Sequence, residues 1–235
     1  MFRKLTIDGG GLGFTYRRDE NTFRVAYGSV MVKDRDGSAV PVTYPPVSTP
    51  IAGVTYYQVD DRLPGPGLQT VNRFRISSFI VGADVGFRSN YRAIGEFALT
   101  KVPQTDLSTQ SWRGYVSLLR RVDKWTPYIT YARIRSQSKT LNLYKNISNS
   151  SVPDSIPGSA IINASQRAGA DQILAFDQSS LAMGAAYALS ATSKLKAEIM
   201  RVRIGEISGF VDAPPASNIR NRSINVISLS YSKVF

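Results

Sequence analysis

Apolar and polar residues alternate one by one along several stretches of the chain. In the last stretch, Ile227, Leu229 and Tyr231 carry apolar side chains, and a serine lies between each of them and the next. Because successive side chains of a strand point to opposite faces, a period of two predicts strands with one apolar and one polar face. Nine stretches of this kind predict an all-β fold built from antiparallel hairpins.

The connections between the nine predicted strands alternate in length. Short turns lie near residues 19, 89, 123 and 192, and long connections follow residues 33, 102, 136 and 204. Transmembrane barrels have short periplasmic turns and long extracellular loops, and a tilted strand of about ten residues is long enough to cross a bilayer. The pattern therefore predicts an antiparallel up-and-down transmembrane β-barrel over residues 1–235, as a single domain or as part of one.

Two of the long connections differ in composition. Residues 33–70 are rich in Pro and Gly and predict a long loop without regular structure. In the connection 137–178, residues 146–151 predict a flexible loop. The alanine-rich stretch 159–174, with Ser159 as a capping residue, predicts one short helix in this connection.

The predicted strand 125–135 departs from strict alternation. Ile129 and Tyr131 continue the apolar positions, but the phase shifts near Ala132. A β-bulge, which inserts one extra residue into a strand, would explain the shift.

Nine is an odd number of strands, whereas single-chain bacterial barrels have even numbers. We therefore expect the chain to be the carboxyl-terminal part of a larger even-stranded barrel. A ten-stranded barrel completed by part of the segment 40–72 is the alternative. Residues 1–8 lack the apolar core of a signal peptide, so an export signal would have been removed or would lie upstream.

The end of the chain resembles the carboxyl-terminal strand of Gram-negative outer-membrane β-barrel proteins, in which apolar residues at alternate positions lead to a terminal Phe. The residues that fit are Ile227, Leu229, Tyr231 and Phe235, whereas Lys233 departs from the motif. The stretch 185–197 resembles the penultimate hairpin of porins. The likeness covers the carboxyl-terminal hairpin and strand well, and the earlier hairpins only by pattern.

This resemblance implies a location in the bacterial outer membrane and a porin-like channel for passive diffusion of small hydrophilic solutes. The partners it implies are outer-membrane lipid, lipopolysaccharide and the assembly machinery that acts on the carboxyl-terminal strand. It implies no cofactor, and it leaves a homotrimer open. A non-conducting structural or adhesin-type barrel, which the long connections also suit, is the alternative.

Aromatic residues cluster at the short-turn end of the predicted strands. In membrane barrels, aromatic side chains form girdles at the water interface. Aromatic residues also flank turns in proteins generally, which is the competing interpretation. The predicted girdle and carboxyl-terminal signal residues are Tyr16, Phe87, Tyr91, Trp125, Tyr187, Tyr231 and Phe235.

Charged residues collect at the positions between the apolar ones. A charge that faces lipid costs about 2–4 kcal/mol at the bilayer midplane, so these residues predict a polar lumen. Basic residues predominate, which predicts a preference for anions; lipid phosphate binding or structural ion pairs are the alternative roles. The predicted lumen-facing residues are Arg17, Arg24, Asp84, Arg88, Arg92, Glu96, Arg113, Arg121, Lys196 and Glu198.

A second basic set lies where the strands meet the long connections. Arginines at this border of a membrane barrel are placed to contact the phosphates of lipopolysaccharide. A solvated rim without lipid contacts is the alternative. The candidate lipopolysaccharide contacts are Arg73, Arg75, Arg133, Arg135, Arg201 and Arg203. The formal net charge of +12 also suggests an anionic partner.

The chain contains neither Cys nor His. Their absence excludes disulfides, thiolate metal sites, cysteine nucleophiles and the Ser-His-Asp triad. We therefore expect no enzyme, no metal and no cofactor. Nucleic-acid binding is also disfavoured, because the aromatic and basic residues are predicted to lie on opposite faces of the strands rather than interleaved on one.

Overall fold

The computed structural model of the chain describes residues 5–34, 39–88, 90–211 and 219–234. Within these ranges the chain forms thirteen strands and two helices. The strands are β1 Leu5–Arg18, β2 Asn21–Asp34, β3 Val40–Pro41, β4 Pro46–Ser48, β5 Thr55–Tyr57, β6 Thr70–Val71, β7 Arg73–Phe87, β8 Tyr91–Lys101, β9 Ser111–Arg120, β10 Trp125–Ser136, β11 Asp177–Ala188, β12 Ser193–Ile204 and β13 Ser223–Lys233. The helices are α1 Ser138–Asn149 and α2 Ser159–Asp171.

The long strands form one nine-stranded sheet in the order β1-β2-β7-β8-β9-β10-β11-β12-β13. Each pairs antiparallel with the next long strand along the chain. The prediction of an all-β antiparallel fold is therefore confirmed. Within the described ranges, β1 and β13 are the two edges and do not pair with each other. Closure into a membrane barrel stays a prediction.

Short turns join the long strands at one end of the sheet, and longer connections join them at the other, as predicted. Asp19 and Glu20 alone link β1 to β2. In three of these turns Asp19, Arg88 and Asp123 adopt φ angles of 52°, 51° and 52°. Aspartate tolerates this left-handed conformation better than most residues do, which allows the chain to reverse within a few residues.

The pairing divides the sheet into two faces of different composition. Tyr16 lies opposite Phe23, which lies opposite Ala83, and the same phase continues through β13 without interruption. We call this side the apolar face. Its side chains are largely exposed, with Leu12 at 86% and Ile227 at 81%. The opposite side, which we call the polar face, carries the charged residues that lie between the apolar positions.

Strand β10 contains no bulge, so the prediction of a bulge near Ala132 is wrong. Tyr131 lies opposite Val116 and Arg133 opposite Gly114, with no residue inserted between the two pairs. Both pairs lie on the apolar face. The apparent shift of phase is a change of chemistry along one face, from apolar to basic, and not a change of backbone geometry.

The long connections pack together at their end of the sheet into what we call the loop cap, residues 39–72, 102–110, 137–176 and 205–211. The cap has its own hydrophobic core. The buried residues of that core are Tyr44, Tyr56, Leu63, Leu107, Leu141, Ile147, Val152, Ile162, Ala170, Ile173 and Ala175. A core of this kind gives the connections a defined structure that strand patterns do not predict.

The loop cap holds two helices instead of the single predicted one. Helix α2 lies within the predicted stretch 159–174, which confirms that prediction. The prediction of a flexible loop at 146–151 is wrong over most of its length, because α1 extends to Asn149. Leu141 and Ile147 of α1 are buried in the cap, so tertiary packing supports a helix whose Thr and Asn residues are weak helix formers.

The segment 40–72 adds no strand to the main sheet. Strand β3 pairs with β6 and β4 with β5, in two small sheets within the cap. The alternative of a ten-stranded barrel completed by this segment is therefore wrong. The backbone N–H of Tyr57 donates to the buried Gln166 Oε1 at 2.8 Å, which ties β5 to α2.

The core of the cap can be tested at two adjacent residues of α2. Ile162 is 6% exposed and Ile161 is 68% exposed. We expect Ile162→Val to cost about 0.5–1.5 kcal/mol of local stability, because it removes a packed methyl group. Hydrogen–deuterium exchange of residues 159–171 should then be roughly two- to tenfold faster. Ile161→Val is the matched control and should leave exchange unchanged; equal effects would contradict the packing described here.

Candidate functional site

The polar face brings together the predicted lumen-facing residues. Eight of them lie in the long strands and share the phase of this face: Arg17, Arg24, Asp84, Arg92, Glu96, Arg113, Lys196 and Glu198. Arg88 and Arg121 lie in the turns, where they line a cavity of about 730 Å³ together with Arg92. The charged residues therefore share one face of the sheet, in two groups that are separated by the uncharged polar-face positions of β10 and β11.

Arg92 and Asp84 form a two-pronged ion pair on this surface. Arg92 Nε donates to Asp84 Oδ1 at 2.5 Å, and Arg92 Nη2 donates to Asp84 Oδ2 at 2.8 Å. Such planar pairing fixes the orientation of the guanidinium group. This arginine is therefore compensated by a carboxylate.

A second charged group joins Lys196, Glu198 and Tyr128. The hydroxyl of Tyr128 donates to Glu198 Oε2 at 2.5 Å, and Lys196 Nζ lies 3.1 Å from the same oxygen. The ring of Tyr128 reaches across Gly184 of the intervening strand. A Cβ at Gly184 would collide with the Tyr128 hydroxyl, so the glycine makes room for the network.

The remaining charges on the polar face are mostly basic and unpaired. Among the described residues, no carboxylate lies within 4.0 Å of the guanidinium groups of Arg17, Arg24, Arg88, Arg113 or Arg121. On the same surface, the carboxylate of Glu96 also has no ion pair within the described ranges. The structural pairs that were the alternative role account for Arg92 and Lys196 only, which leaves a surplus of arginines.

The predicted girdle residues lie on the apolar face at the turn end. The rings of Tyr16 and Phe23 are 6.5 Å apart, those of Phe87 and Tyr91 are 5.8 Å apart, and those of Trp125 and Tyr187 are 4.7 Å apart. Tyr231 lies on the same face, opposite Leu195. Phe235, the remaining predicted residue, lies outside the described residues.

The six candidate lipopolysaccharide contacts lie at the other border of the apolar face, next to the loop cap. Lys33 and Lys101, which the sequence patterns did not single out, share this position. We call the whole set the basic belt: Lys33, Arg73, Arg75, Lys101, Arg133, Arg135, Arg201 and Arg203. Arg133 lies over the ring of Trp112 at 5.6 Å, and Arg135 Nε lies 3.9 Å from Asp177 Oδ1.

The loop cap covers the polar face at this end and leaves the apolar face free. On the polar face, Ala98 and Ser136 are both 2% exposed. On the apolar face, Arg75 and Arg135 are exposed. Phe210 overhangs the polar face and lines a cavity of about 270 Å³ there. The two faces therefore differ in accessibility as well as in composition.

Ion pairs hold the segments of the cap together. Lys139 Nζ of α1 lies 2.8 Å from Oδ1 of the buried Asp106. Lys145 Nζ of α1 lies 3.4 Å from Glu206 Oε1, which joins this helix to the segment after β12. Hydrogen bonds from Arg62 lower the pKa of Asp60 to about 2. The cap is thus stabilised by charge pairing in addition to its apolar core.

Among the described residues, neither helix is long and apolar enough to cross a membrane. No known family model matches the chain, and comparison with curated proteins and with solved structures gives no match either.

Proposed function

We propose that the sheet forms all or part of the wall of an outer-membrane β-barrel that conducts small hydrophilic solutes and prefers anions. The observation that carries this proposal is the separation of the two faces of the sheet. One face is apolar and exposed over all nine strands, and the other is polar with a surplus of arginines. A water-filled lumen inside a lipid bilayer requires that separation.

The apolar face supports contact with lipid. Large exposed apolar surfaces on a protein mark contacts with other proteins or with membranes. This face is bordered by aromatic pairs at the turn end and by the basic belt at the cap end. A bilayer favours aromatic side chains at its water interfaces and basic side chains beside anionic lipid headgroups.

The polar face supports a lumen that attracts anions. Guanidinium groups without a carboxylate partner raise the electrostatic potential of a narrow aqueous space and lower the energy of an anion within it. Arg17 and Arg24 lie on the wall, and Arg88 and Arg121 lie at the turn end. In the proposed orientation the turns face the periplasm and the cap faces outward. The proposed role is transport without catalysis.

A non-conducting structural or adhesin-type barrel is the second candidate. The packed core of the loop cap favours it, because the cap covers the polar face at one end of the sheet. The full chain, refolded in detergent and added to a planar bilayer in symmetric KCl, separates the two. Discrete conductance steps support the channel, whereas stable insertion without current supports the non-conducting barrel. Failure to enter detergent or bilayer would reject both.

We also propose that the basic belt binds the phosphates of lipopolysaccharide. The belt lies at the depth where lipid headgroups meet water in the proposed orientation. Arg133 and Arg203 lie on either side of Ser179 in one row of the sheet, each opposite that residue on a neighbouring strand. Two cations on either side of a small polar residue leave room for a phosphate group between them.

We expect the double variant Arg133→Gln/Arg203→Gln to bind lipopolysaccharide roughly five- to thirtyfold more weakly. Each basic residue near an anionic lipid surface contributes about 1 kcal/mol. Titration of lipopolysaccharide into the detergent-solubilised protein measures the change. The control is Arg17→Gln/Arg24→Gln, which removes the same charge from the polar face. A similar loss of affinity in this control would show that only the net charge matters.

A further inference from the structure

The cavity beneath Phe210 combines apolar walls with charged residues. It lies on the polar face near the loop cap, between β8–β11 and Phe210, and has a volume of about 270 Å³. The ring of Phe210 lies 5.2 Å from that of Phe176. The hydroxyl of Ser208, two residues earlier, donates a hydrogen bond to Gln178 of the wall. These contacts hold the aromatic ring over the strands.

Three charged residues line this cavity, Glu96, Arg113 and Arg133. The Arg133 guanidinium lies over the Trp112 ring on the apolar face, so Glu96 and Arg113 provide the two charges on the polar face. Glu96 lies opposite Tyr115, and Ala98 lies opposite Arg113, so the two charged residues are diagonal neighbours on adjacent strands. Side chains in that relation are close enough to pair. Even so, their charged atoms are more than 4.0 Å apart, and among the described residues neither has another ion-pair partner.

Two opposite charges that are held apart beside an open space suit a ligand with both charges. We propose that this cavity binds a small α-amino acid with an apolar side chain. The ligand carboxylate accepts hydrogen bonds from the Arg113 guanidinium, and the ligand ammonium group donates to the Glu96 carboxylate. The apolar side chain packs against Phe210 and Ala98. Charge-assisted hydrogen bonds of this kind are roughly twice as strong as those between neutral groups.

The dimensions favour a small ligand over a larger one. Cavities that enclose drug-sized molecules measure roughly 300–1,000 Å³, and this cavity lies just below that range. The larger cavity at the turn end lacks this arrangement, since its lining includes Asp19, Glu20 and Asp123 together with four basic side chains. The amino-acid site rests on the proposed function and extends it, because it adds zwitterionic amino acids as a solute class for the same lumen, beside the small anions that the unpaired arginines favour.

Equilibrium dialysis of radiolabelled leucine against the detergent-solubilised full chain tests the site without requiring conduction. We expect saturable binding of leucine. N-acetyl-leucine has no ammonium group and leucinamide has no carboxylate, so each should bind at least tenfold more weakly. Arg113→Gln and Glu96→Gln should each weaken leucine binding by about tenfold. Arg24→Gln is the matched control, since Arg24 lies on the same face without lining the cavity.

Equal binding of the three compounds, or leucine binding that neither variant changes, would overturn the proposal, as would the absence of saturable binding. Circular dichroism of each variant shows whether the sheet is retained.

A Phe210→Ala variant provides a second route, since the ring is 68% exposed and its removal leaves the wall of strands intact. It should weaken leucine binding and leave glycine binding unchanged. A chain that conducts ions but binds no leucine refutes only the amino-acid site, and one that binds leucine without conducting refutes only the channel.

Discussion

Replacement of Ile227 by arginine is expected to destabilise the bilayer-inserted protein by about 2–4 kcal/mol, the cost of a cation facing lipid near the midplane. Ile227 lies on the apolar face and is 81% exposed. It is midway between Tyr231 of the predicted girdle and Ser223, which lies opposite Arg203 of the basic belt. In water an arginine at so exposed a position would be tolerated, so the predicted effect depends on lipid.

Ser228→Arg is the matched control for this variant. Ser228 is the next residue of β13, is also exposed, and lies on the polar face opposite Glu198. Urea unfolding in phosphatidylcholine vesicles, followed by tryptophan fluorescence, measures both variants. We expect Ser228→Arg to remain within about 0.5 kcal/mol of the original chain, as surface substitutions usually do. If the two variants lose the same stability, the apolar face does not face lipid.

Removal of three unpaired arginines from the polar face is expected to reduce the preference for anions by as much as tenfold. The variant is Arg17→Gln/Arg24→Gln/Arg121→Gln. A unit charge at roughly 8 Å in a medium like water contributes about 0.5 kcal/mol, so three charges together contribute about 1.5 kcal/mol. The reversal potential in a gradient of dilute KCl measures the change, because concentrated salt would screen these charges.

The control for this variant removes three arginines of the basic belt, Arg73→Gln/Arg75→Gln/Arg201→Gln. The net charge changes by the same amount, but these residues lie on the apolar face. We expect the reversal potential of the control to stay close to that of the original chain. Equal shifts in both variants would mean that selectivity follows total charge and not the polar face.

The sheet could be predicted from the sequence because its strands are long and their phase is uninterrupted. A period of two assigns a face to every residue once the register is constant, as it is from Tyr16 across to Asn225. The error in β10 arose because the chemistry of one face changes along the strand. Arg133 and Arg135 occupy positions of the apolar face. The alternation of apolar and polar residues therefore breaks there, although the register of the strand does not.

The loop cap could not be predicted in the same way. The strands depend on a local pattern, whereas the cap depends on contacts between distant segments, such as the hydrogen bond of Tyr44 to Gln172 at 3.3 Å. Helix α1 left a trace in the sequence, since Leu141, Tyr144 and Ile147 recur at helical spacing. Composition alone did not indicate this helix, because several of its residues are weak helix formers.

The charges of the candidate site were predicted, but their partners were not. Alternation assigns Lys196 and Glu198 to one face. No local pattern shows that the Tyr128 hydroxyl, two strands away, donates a hydrogen bond to the Glu198 carboxylate. That contact is possible because Gly184, on the strand between them, has no side chain. Phe210 was missed for a related reason, since it lies in a long connection and reaches the sheet only through tertiary folding.

In the proposed barrel the polar face lines a water-filled lumen and the apolar face meets lipid. The chain contains no cysteine, so single cysteines can be introduced without background reaction. Ser117 lies on the polar face and Val116, the preceding residue of β9, on the apolar face. During bilayer recording with a membrane-impermeant anionic methanethiosulfonate, the single-channel current through Ser117→Cys should fall, and that through Val116→Cys should not change. Modification of Val116→Cys as fast as that of Ser117→Cys would contradict the account.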